Sequence, residues 1–270
     1  MPVSLNYFLL DRGDALSREL AANFHRLAEE KGLRRSENAP EVVVSIGGDG
    51  TMLHAFHQFQ DQLDRIAFVG IHTGHLGFYA DWKPNELEDL VTLMADGGGL
   101  SNRVVKYPLL RVQITSDKGS ESFLALNEFT LKGADATLVA QLNINDKPFE
   151  MFRGDGICIS TPSGSTAYNK SLNGALLHPS LEAIQIAEIA SINNRVYRTI
   201  GSSLVLPKHH HCDIIPRKTQ KLLITVDHLA IPYSSITSVR TTVADQKVTF
   251  ARYRPFPFWS RVKDAFVGDI

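Results

Sequence analysis

A carboxylate set among glycines is the residue in this chain best placed to do chemistry. Gly47-Gly48-Asp49-Gly50-Thr51 follows a β-branched run, Val42 to Ile46, and precedes a stretch of helical spacing, Met52 to Gln60. That order reads as a buried strand, a tight loop and a helix start. Glycine lets a backbone take positive φ and lets a ligand approach closely. A helix N-terminus adds unpaired N–H groups and a positive dipole end, so the loop suits a phosphate. Beside a phosphate, a carboxylate is repulsive unless it holds a metal or accepts a proton from a hydroxyl nucleophile. Both uses belong to phosphoryl transfer. The alternative is a plain turn with Asp49 as a helix cap. The loop is not a dinucleotide fingerprint, because Leu53 stands where the third glycine is needed. Nor is it a Walker A loop, because no Gly-Lys-Ser/Thr follows.

Further polar clusters lie in the second half. Asn127-Glu128 sits inside an apolar run, Phe123 to Leu131, and a buried amide and carboxylate need partners. Arg153-Gly154-Asp155-Gly156 precedes another apolar run and also fits a turn. Thr161 to Asn169 carries five hydroxyls around Gly164, suited to sugar edges, an amide or an adenine. It equally reads as a capped loop feeding a helix from Ala167 to Leu177. Asp227-His228 ends the run Leu222 to Val226, where a histidine could hydrogen-bond a ligand or face solvent. His209-His210-His211 invites a metal reading. Consecutive residues cannot all face one ion, and no Cys or His partners sit at zinc spacing, so a solvated loop is expected.

The elements that must position these groups alternate early and change later. Leu5 to Leu10 reads as a strand. Asp14 to Lys31 reads as a helix burying Leu16, Leu20, Phe24 and Leu27, stopped by Gly32. The Val42 strand follows, then Ile66 to Val69, which leads into a second glycine-rich loop, Gly70 to Tyr79. A helix from Pro84 to Ala95 is expected, with Gly97-Gly98-Gly99 at its end. Strands alternating with helices imply a parallel sheet, whose ligands bind beyond the carboxyl ends of the strands. From about residue 103 the pattern turns to strands: 103–115, 122–132, 137–144, 156–160, 222–226, 236–243 and 247–250. Ala134-Asp135 and Asn145-Asp146-Lys147 read as turns, and 183–190 is ambiguous between helix and strand. The fold class expected is therefore an α/β N-terminal domain with a parallel sheet, residues 1–102, plus a β-rich, β-sandwich-like C-terminal domain, residues 103–250. The aromatic tail, 251–270, is expected to pack back on a domain or a neighbouring subunit.

Composition excludes several classes. The 270 residues are 43% hydrophobic and 21% charged with a formal net charge of −1, so no global field attracts nucleic acid or membrane. Two cysteines without a CxxC pattern argue against a disulfide scaffold and fit a reducing compartment. The first residues lack a basic region and meet Asp11 early, unlike a signal peptide. No apolar run is long enough to span a bilayer. A cytoplasmic protein is expected.

Taken together, Gly47-Gly48-Asp49-Gly50-Thr51, Gly74-His75-Leu76-Gly77-Phe78, Asn127-Glu128, Gly154-Asp155-Gly156 and Thr161-Pro162-Ser163-Gly164-Ser165-Thr166-Ala167-Tyr168 resemble the NAD kinases in order and spacing. The likeness covers essentially the whole chain. It is strongest to the short kinases of Gram-positive bacteria, through the segment 71–82 and the tail Phe256-Pro257-Phe258-Trp259. The resemblance implies transfer of the γ-phosphate of ATP to the 2′-hydroxyl of the adenosine ribose of NAD. It implies an α/β and a β-rich domain, and a homo-oligomer, a tetramer, whose NAD site a neighbouring subunit completes.

Carried over by position, Asp49 corresponds to the catalytic aspartate, and Gly47, Gly48, Gly50 and Thr51 to the phosphate loop. Phe78, Asn127, Glu128, Ser163, Thr166, Ala167 and Tyr168 correspond to NAD contacts, with Asn127, Ser163 and Thr166 near the adenine. Arg153 and Ser171 are counted with them. Asp155 corresponds to the residue reaching toward the nicotinamide end, and His228 to one near the phosphates. A divalent cation, Mg²⁺, is expected on the ATP phosphates, and no residue of the chain is assigned as its ligand. The donor stays open between ATP and polyphosphate. Two other readings remain: a lipid kinase of the diacylglycerol or sphingosine type, which shares the Gly-Gly-Asp-Gly-Thr loop, and a non-catalytic NAD sensor.

Overall fold

A computed structural model of the chain describes residues 5–74, 76–96, 104–233 and 235–268. The triple glycine at 97–99 and His75 lie outside them. The chain divides into two compact units, one from residues 1–106 with 247–270 and one from 107–246.

The first unit is α/β. Its parallel strands run in the order Arg34–Arg35, Asn6–Asp11, Val42–Gly47, Ala67–His72 and the end of Ile236–Ala251. Val42–Gly47 and Ala67–His72 are buried along their whole length, as strands covered on both faces must be. The helix Ala15–Glu30 starts on the Asp14 side chain, which accepts the Ser17 N–H, and ends before Gly32 at φ +78°. It buries Leu20, Phe24 and Leu27 as expected, but Leu16 is exposed and Ser17 and Ala21 take its place in the covered face. The second glycine-rich loop begins later than expected, because its strand continues through Gly70 to His72. A Cβ on Gly70 would overlap Ala80, so glycine there lets the chain fold back against its own strand. Pro84 opens a single 3-10 turn, and the helix proper is Leu87–Ala95.

The second unit is two packed antiparallel sheets. One contains Lys147–Gly154, Leu138–Ile144, His211–Pro216 and the first part of Ile236–Ala251, with Val104–Ser116 and Gly119–Ala125 paired beside it. The other runs Leu204–Pro207, Ala183–Ile189, Gly156–Ser160, Glu128–Gly133, Leu222–Val226, Leu229–Ile231. Leu110, Phe129, Leu131, Phe152, Ile159 and Ile214, drawn from both sheets, share one buried core.

Several local expectations change. The ambiguous stretch 183–190 resolves as the strand Ala183–Ile189. The two strands expected near the C-terminus are one, Ile236–Ala251, in which Asp245 and Gln246 face Arg111 at 3.1 and 2.9 Å. The run expected as one strand over 122–132 is two, broken at Leu126-Asn127. The expected helix from Ala167 to Leu177 is only a 3-10 turn, Ser163–Thr166, and a four-residue helix, Tyr168–Ser171.

One pair in this unit carries a pH signature. Glu150 accepts the Ile200 N–H at 2.9 Å and faces Glu188, and burial with this like-charged neighbour raises its pKa. A carboxyl whose folded pKa is raised costs stability as pH climbs through the unfolded value toward the folded one. Glu150→Gln is therefore expected to melt with wild type near pH ~4 and above it at pH ~8; equal melting at both would refute the assignment.

Candidate active site

In the first unit, Asp49 is the first residue of the helix Asp49–Gln58, not the end of a loop before it. Gly48 occupies the N-cap position with no side chain capping the helix. None of Gly47, Gly48 and Gly50 has positive φ. Gly47 is needed for space instead, because a Cβ there would overlap the Thr51 side chain. Asp49 is not a cap either. Its carboxylate turns to the segment after Ala67–His72, where Oδ2 accepts the Phe78 N–H at 2.9 Å and Oδ1 the Tyr79 N–H at 3.1 Å. A Cβ on Gly77 would overlap that carboxylate, so both glycine stretches serve one aspartate.

Charge around Asp49 is balanced. Burial raises its pKa above the ordinary value. The two amide bonds and the Arg261 guanidinium oppose that rise, and Asp81 adds to it. Asp81 is buried and pairs with Arg252 and, at 2.8 Å, with Arg261. Thr73 N–H donates to Gly47 O at 3.2 Å, tying the two segments together at the carboxyl ends of adjacent parallel strands. Phe78 lies between Phe258 and Phe266, with ring centroids 6.2 and 5.7 Å away. Those rings belong to the helix Phe258–Phe266, so part of the aromatic tail packs within this unit, while Trp259 stays exposed.

In the second unit, the backbone at the Leu126-Asn127 break is held by side chains from two directions. The Asp227 carboxylate accepts the N–H groups of Leu126, Asn127 and Glu128 at 2.9, 2.7 and 3.1 Å. Asp227 itself sits at φ +53°, a conformation aspartate tolerates better than most residues. The hydroxyl-rich stretch closes on the same place. Thr161 Oγ1 donates to Leu126 O at 2.6 Å and accepts the Gly164 N–H at 2.9 Å, while Ser163 Oγ donates to Leu126 O at 3.2 Å. A Cβ on Gly164 would overlap the Asn127 backbone. Thr166 Oγ1 donates to Ser163 O at 3.1 Å. Lys132 Nζ donates to the Tyr168 hydroxyl at 2.9 Å.

Glu128 is buried with one carboxyl oxygen unpartnered. Desolvation, then repulsion from Asp227, pushes its pKa up to about 8, so at neutral pH the group carries a proton and can donate as well as accept.

The structure thus gathers Asn127, Glu128, Ser163, Thr166, Ala167 and Tyr168, with Ser171 exposed at the end of the short helix. Arg153 and Asp155 are away from Asn127 and Glu128, at the opposite end of Gly156–Ser160, a strand of five residues or roughly 16 Å. Tyr168, however, packs on the cluster of Cys158, Ala187 and Ile189, and the Ile189 carbonyl accepts the Asp155 N–H. Arg153 covers the Tyr197 ring at 4.1 Å, and Asp155 is exposed. His228 is exposed beside Asp227.

The histidine run does not form the expected loop throughout, because His211 begins the strand His211–Pro216 and groups with Asp146 and Asp213 at metal-ligand spacing. Arg240 already fills that position, donating to Asp213 at 2.6 and 2.9 Å and to Asp146 at 2.7 Å. A guanidinium bound to both carboxylates does not fit a divalent cation site.

Lys132, Asp81 and Arg261 escaped the sequence reading, as did the part played by Asp227. Only Asp227, next to a strand end, carried any local signal.

Comparison with known proteins accounts for both units. The family described as ATP-NAD kinase N-terminal domain matches residues 16–98, and ATP-NAD kinase C-terminal domain matches 126–253. NAD kinase 1 of Bacillus subtilis is 51% identical over 266 residues, covering 98% of this chain and 99% of that one. The NAD kinase of Geobacillus stearothermophilus is 54% identical over 267 residues, 98% and 97% covered. Among solved structures, the fold is shared with yeast NADH kinase complexed with NADH, at TM-score 0.82 and 18% identity over 98% of this chain and 88% of that one. It is also shared with an NAD kinase from Archaeoglobus fulgidus in complex with ATP, at TM-score 0.72 and 18% identity over 93% and 94%. None of these matches supports the lipid-kinase or sensor readings. With relatives above half identity along nearly its full length and both domains matched, the chain belongs to the NAD kinase family.

Proposed function

We propose that the chain transfers the γ-phosphoryl group of ATP to the 2′-hydroxyl of the adenosine ribose of NAD, giving NADP and ADP. The observation that carries this reading is Asp49: a carboxylate oriented by two backbone N–H groups, at the start of an uncapped helix. A ribose hydroxyl is a poor nucleophile at neutral pH, and a carboxylate in hydrogen-bond reach takes its proton as the O–P bond forms. Burial keeps the pKa of Asp49 above the ordinary carboxylate value, which makes it the stronger base once ionised. Gly47, Gly48, Gly50 and Thr51 seat phosphate through backbone amides.

In the second unit, Asn127, Ser163 and Thr166 take the adenine, and Glu128, Ala167 and Tyr168 the rest of the adenosine. Phe78 and Ser171 are further contacts, Arg153 and Asp155 serve the nicotinamide end, and His228 the phosphates. Arg153 and Asp155 stand apart from the adenine group, as residues offered to a second copy of the chain would. Exposed Phe149, Met151, Val196 and Ile200 in the same unit suit such a contact, and a homotetramer is the assembly proposed. No helix among the described residues is long and apolar enough to cross a membrane. Both cysteines are free and buried, which supports the cytoplasm as the compartment.

A divalent cation, Mg²⁺, would enter on the ATP phosphates and neutralise their charge. Among the described residues the cluster with ligand spacing is filled by Arg240, so the cation would be held mainly by the phosphates.

The test is incubation of the purified chain with NAD, ATP and Mg²⁺, reading NADP with an NADP-specific dehydrogenase. NADP formed in step with ADP is the expected result. Product only with polyphosphate would change the donor. Tight NAD binding with no product from either donor would overturn the kinase reading.

A further inference from the structure

The helix Phe258–Phe266 carries a buried arginine that binds the segment holding Asp49. Arg261 Nη1 donates to Gly77 O and to Ala80 O, each at 2.8 Å, and Nη2 lies 2.8 Å from Asp81 Oδ1. The Phe256 ring lies 4.5 Å from its guanidinium. Between Gly77 and Ala80 are the two residues whose N–H groups hold Asp49, Phe78 and Tyr79. Residues 77–80 thus give carbonyls to Arg261 and amides to the Asp49 carboxylate. The same helix also supplies Phe258 and Phe266, which flank Phe78.

We propose that Arg261 is a positioning residue for Asp49: the C-terminal helix, through its guanidinium fork, sets the two amides that aim the carboxylate. This rests on the reading of Asp49 as the base. A lysine could not replace it fully, because two carbonyls and a carboxylate need the planar fork of donors.

The charges facing Asp49 are Arg261, from the helix, and Asp81, from the segment after Ala67–His72; Arg252 and Arg254 stand farther out, on Asp81 and Glu86. Removing the Arg261 charge leaves Asp81 as the near neighbour, so the Asp49 carboxyl should hold its proton to higher pH.

The experiment compares Arg261→Gln, Arg261→Lys and, as a control, Lys263→Gln, an exposed position on the same helix. In Arg261→Gln, kcat should fall on the order of 10²-fold, as for a misplaced catalytic group. The fall in kcat should exceed the rise in KM for NAD that a shifted Phe78 brings, and the acid limb of the kcat–pH profile should move to higher pH. Arg261→Lys should restore the limb but not kcat. The control should match wild type.

A second readout needs no turnover: the Phe78 and Tyr79 amide resonances should titrate with Asp49, with a higher midpoint in Arg261→Gln. If wild type forms no NADP, the kinase reading fails while this titration still judges the positioning. An unchanged midpoint and unchanged kcat in the folded Gln variant would overturn the proposal. So would failure of both Arg261 variants to fold, since the arginine would then serve the fold and not Asp49.

Discussion

Asp49→Asn is expected to lose most turnover, roughly 10²–10⁴-fold in kcat, while keeping the fold and NAD affinity. The substitution keeps the shape of the side chain. Its amide oxygen can still accept one of the two N–H groups that hold Asp49, from Phe78 or from Tyr79. The other then meets an NH₂ group and loses its acceptor, at a cost of about 1–3 kcal/mol, which should appear as a small fall in melting temperature. The large loss has a different origin. An amide cannot take a proton from the ribose hydroxyl, so the attacking oxygen remains neutral into the transition state. The pH profile separates the two effects. Wild-type kcat/KM should rise with pH through the Asp49 pKa, which burial holds above the ordinary carboxylate range. The variant should lack that limb. Kinetics with NADP detection, calorimetric NAD binding and a melt form the set of measurements. Turnover near the wild-type rate would remove Asp49 from the role of base.

That aspartate was legible in the sequence because its surroundings are local. A fully buried β-branched run, a glycine stretch and a helix lie within about twenty residues, and their spacing announces the turn. Gly47 and Gly77 answer to space, not to backbone conformation. No positive φ occurs in Gly47-Gly48-Asp49-Gly50; Gly47 is small because Thr51 packs on it, and Gly77 because Asp49 does. The second case pairs residues 28 apart, a contact that spacing along the chain does not encode. The same limit hid Arg261, whose partners Gly77 and Ala80 lie more than 180 residues away. Leu16 failed for a simpler reason. A helical face read by periodicity is as wide as its partner allows, and Ser17 and Ala21 fit the covered side where Leu16 does not.

Strand lengths in the β-rich unit were the least legible. The run 122–132 has the apolar content of one strand, and at its break the amides turn to a carboxylate about 100 positions later. Likewise His211 reads as part of a histidine loop until it is seen to open the strand His211–Pro216, with Asp146, 65 residues earlier, bound to its ring. In each case a side chain far away in sequence takes part, which the local pattern does not encode.

Asp227→Asn is expected to weaken NAD binding by on the order of tenfold or more, about 1.4 kcal/mol per factor of ten, and to lower stability. Three amides, from Leu126, Asn127 and Glu128, share the two carboxylate oxygens of Asp227. Asparagine keeps the tolerance for the φ of +53° that alanine lacks, so the test isolates the acceptors. It offers one oxygen instead of two. At least one amide then faces an NH₂ group and is left unsatisfied, at about 1–3 kcal/mol. The loop that Thr161 and Ser163 also grip through Leu126 O would relax, taking Asn127 and Glu128 with it. A titration gives an independent sign. Asp227 is the like charge that, after desolvation, pushes the Glu128 pKa up to about 8. With that charge removed, Glu128 should titrate lower, toward its ordinary value. Calorimetric NAD affinity, a melt and a carboxyl-carbon NMR titration together check the argument. Wild-type affinity in a folded variant would show that this aspartate braces the strand without shaping the place where Asn127 and Glu128 meet the dinucleotide. A Glu128 midpoint that stays put would show that burial alone raises it.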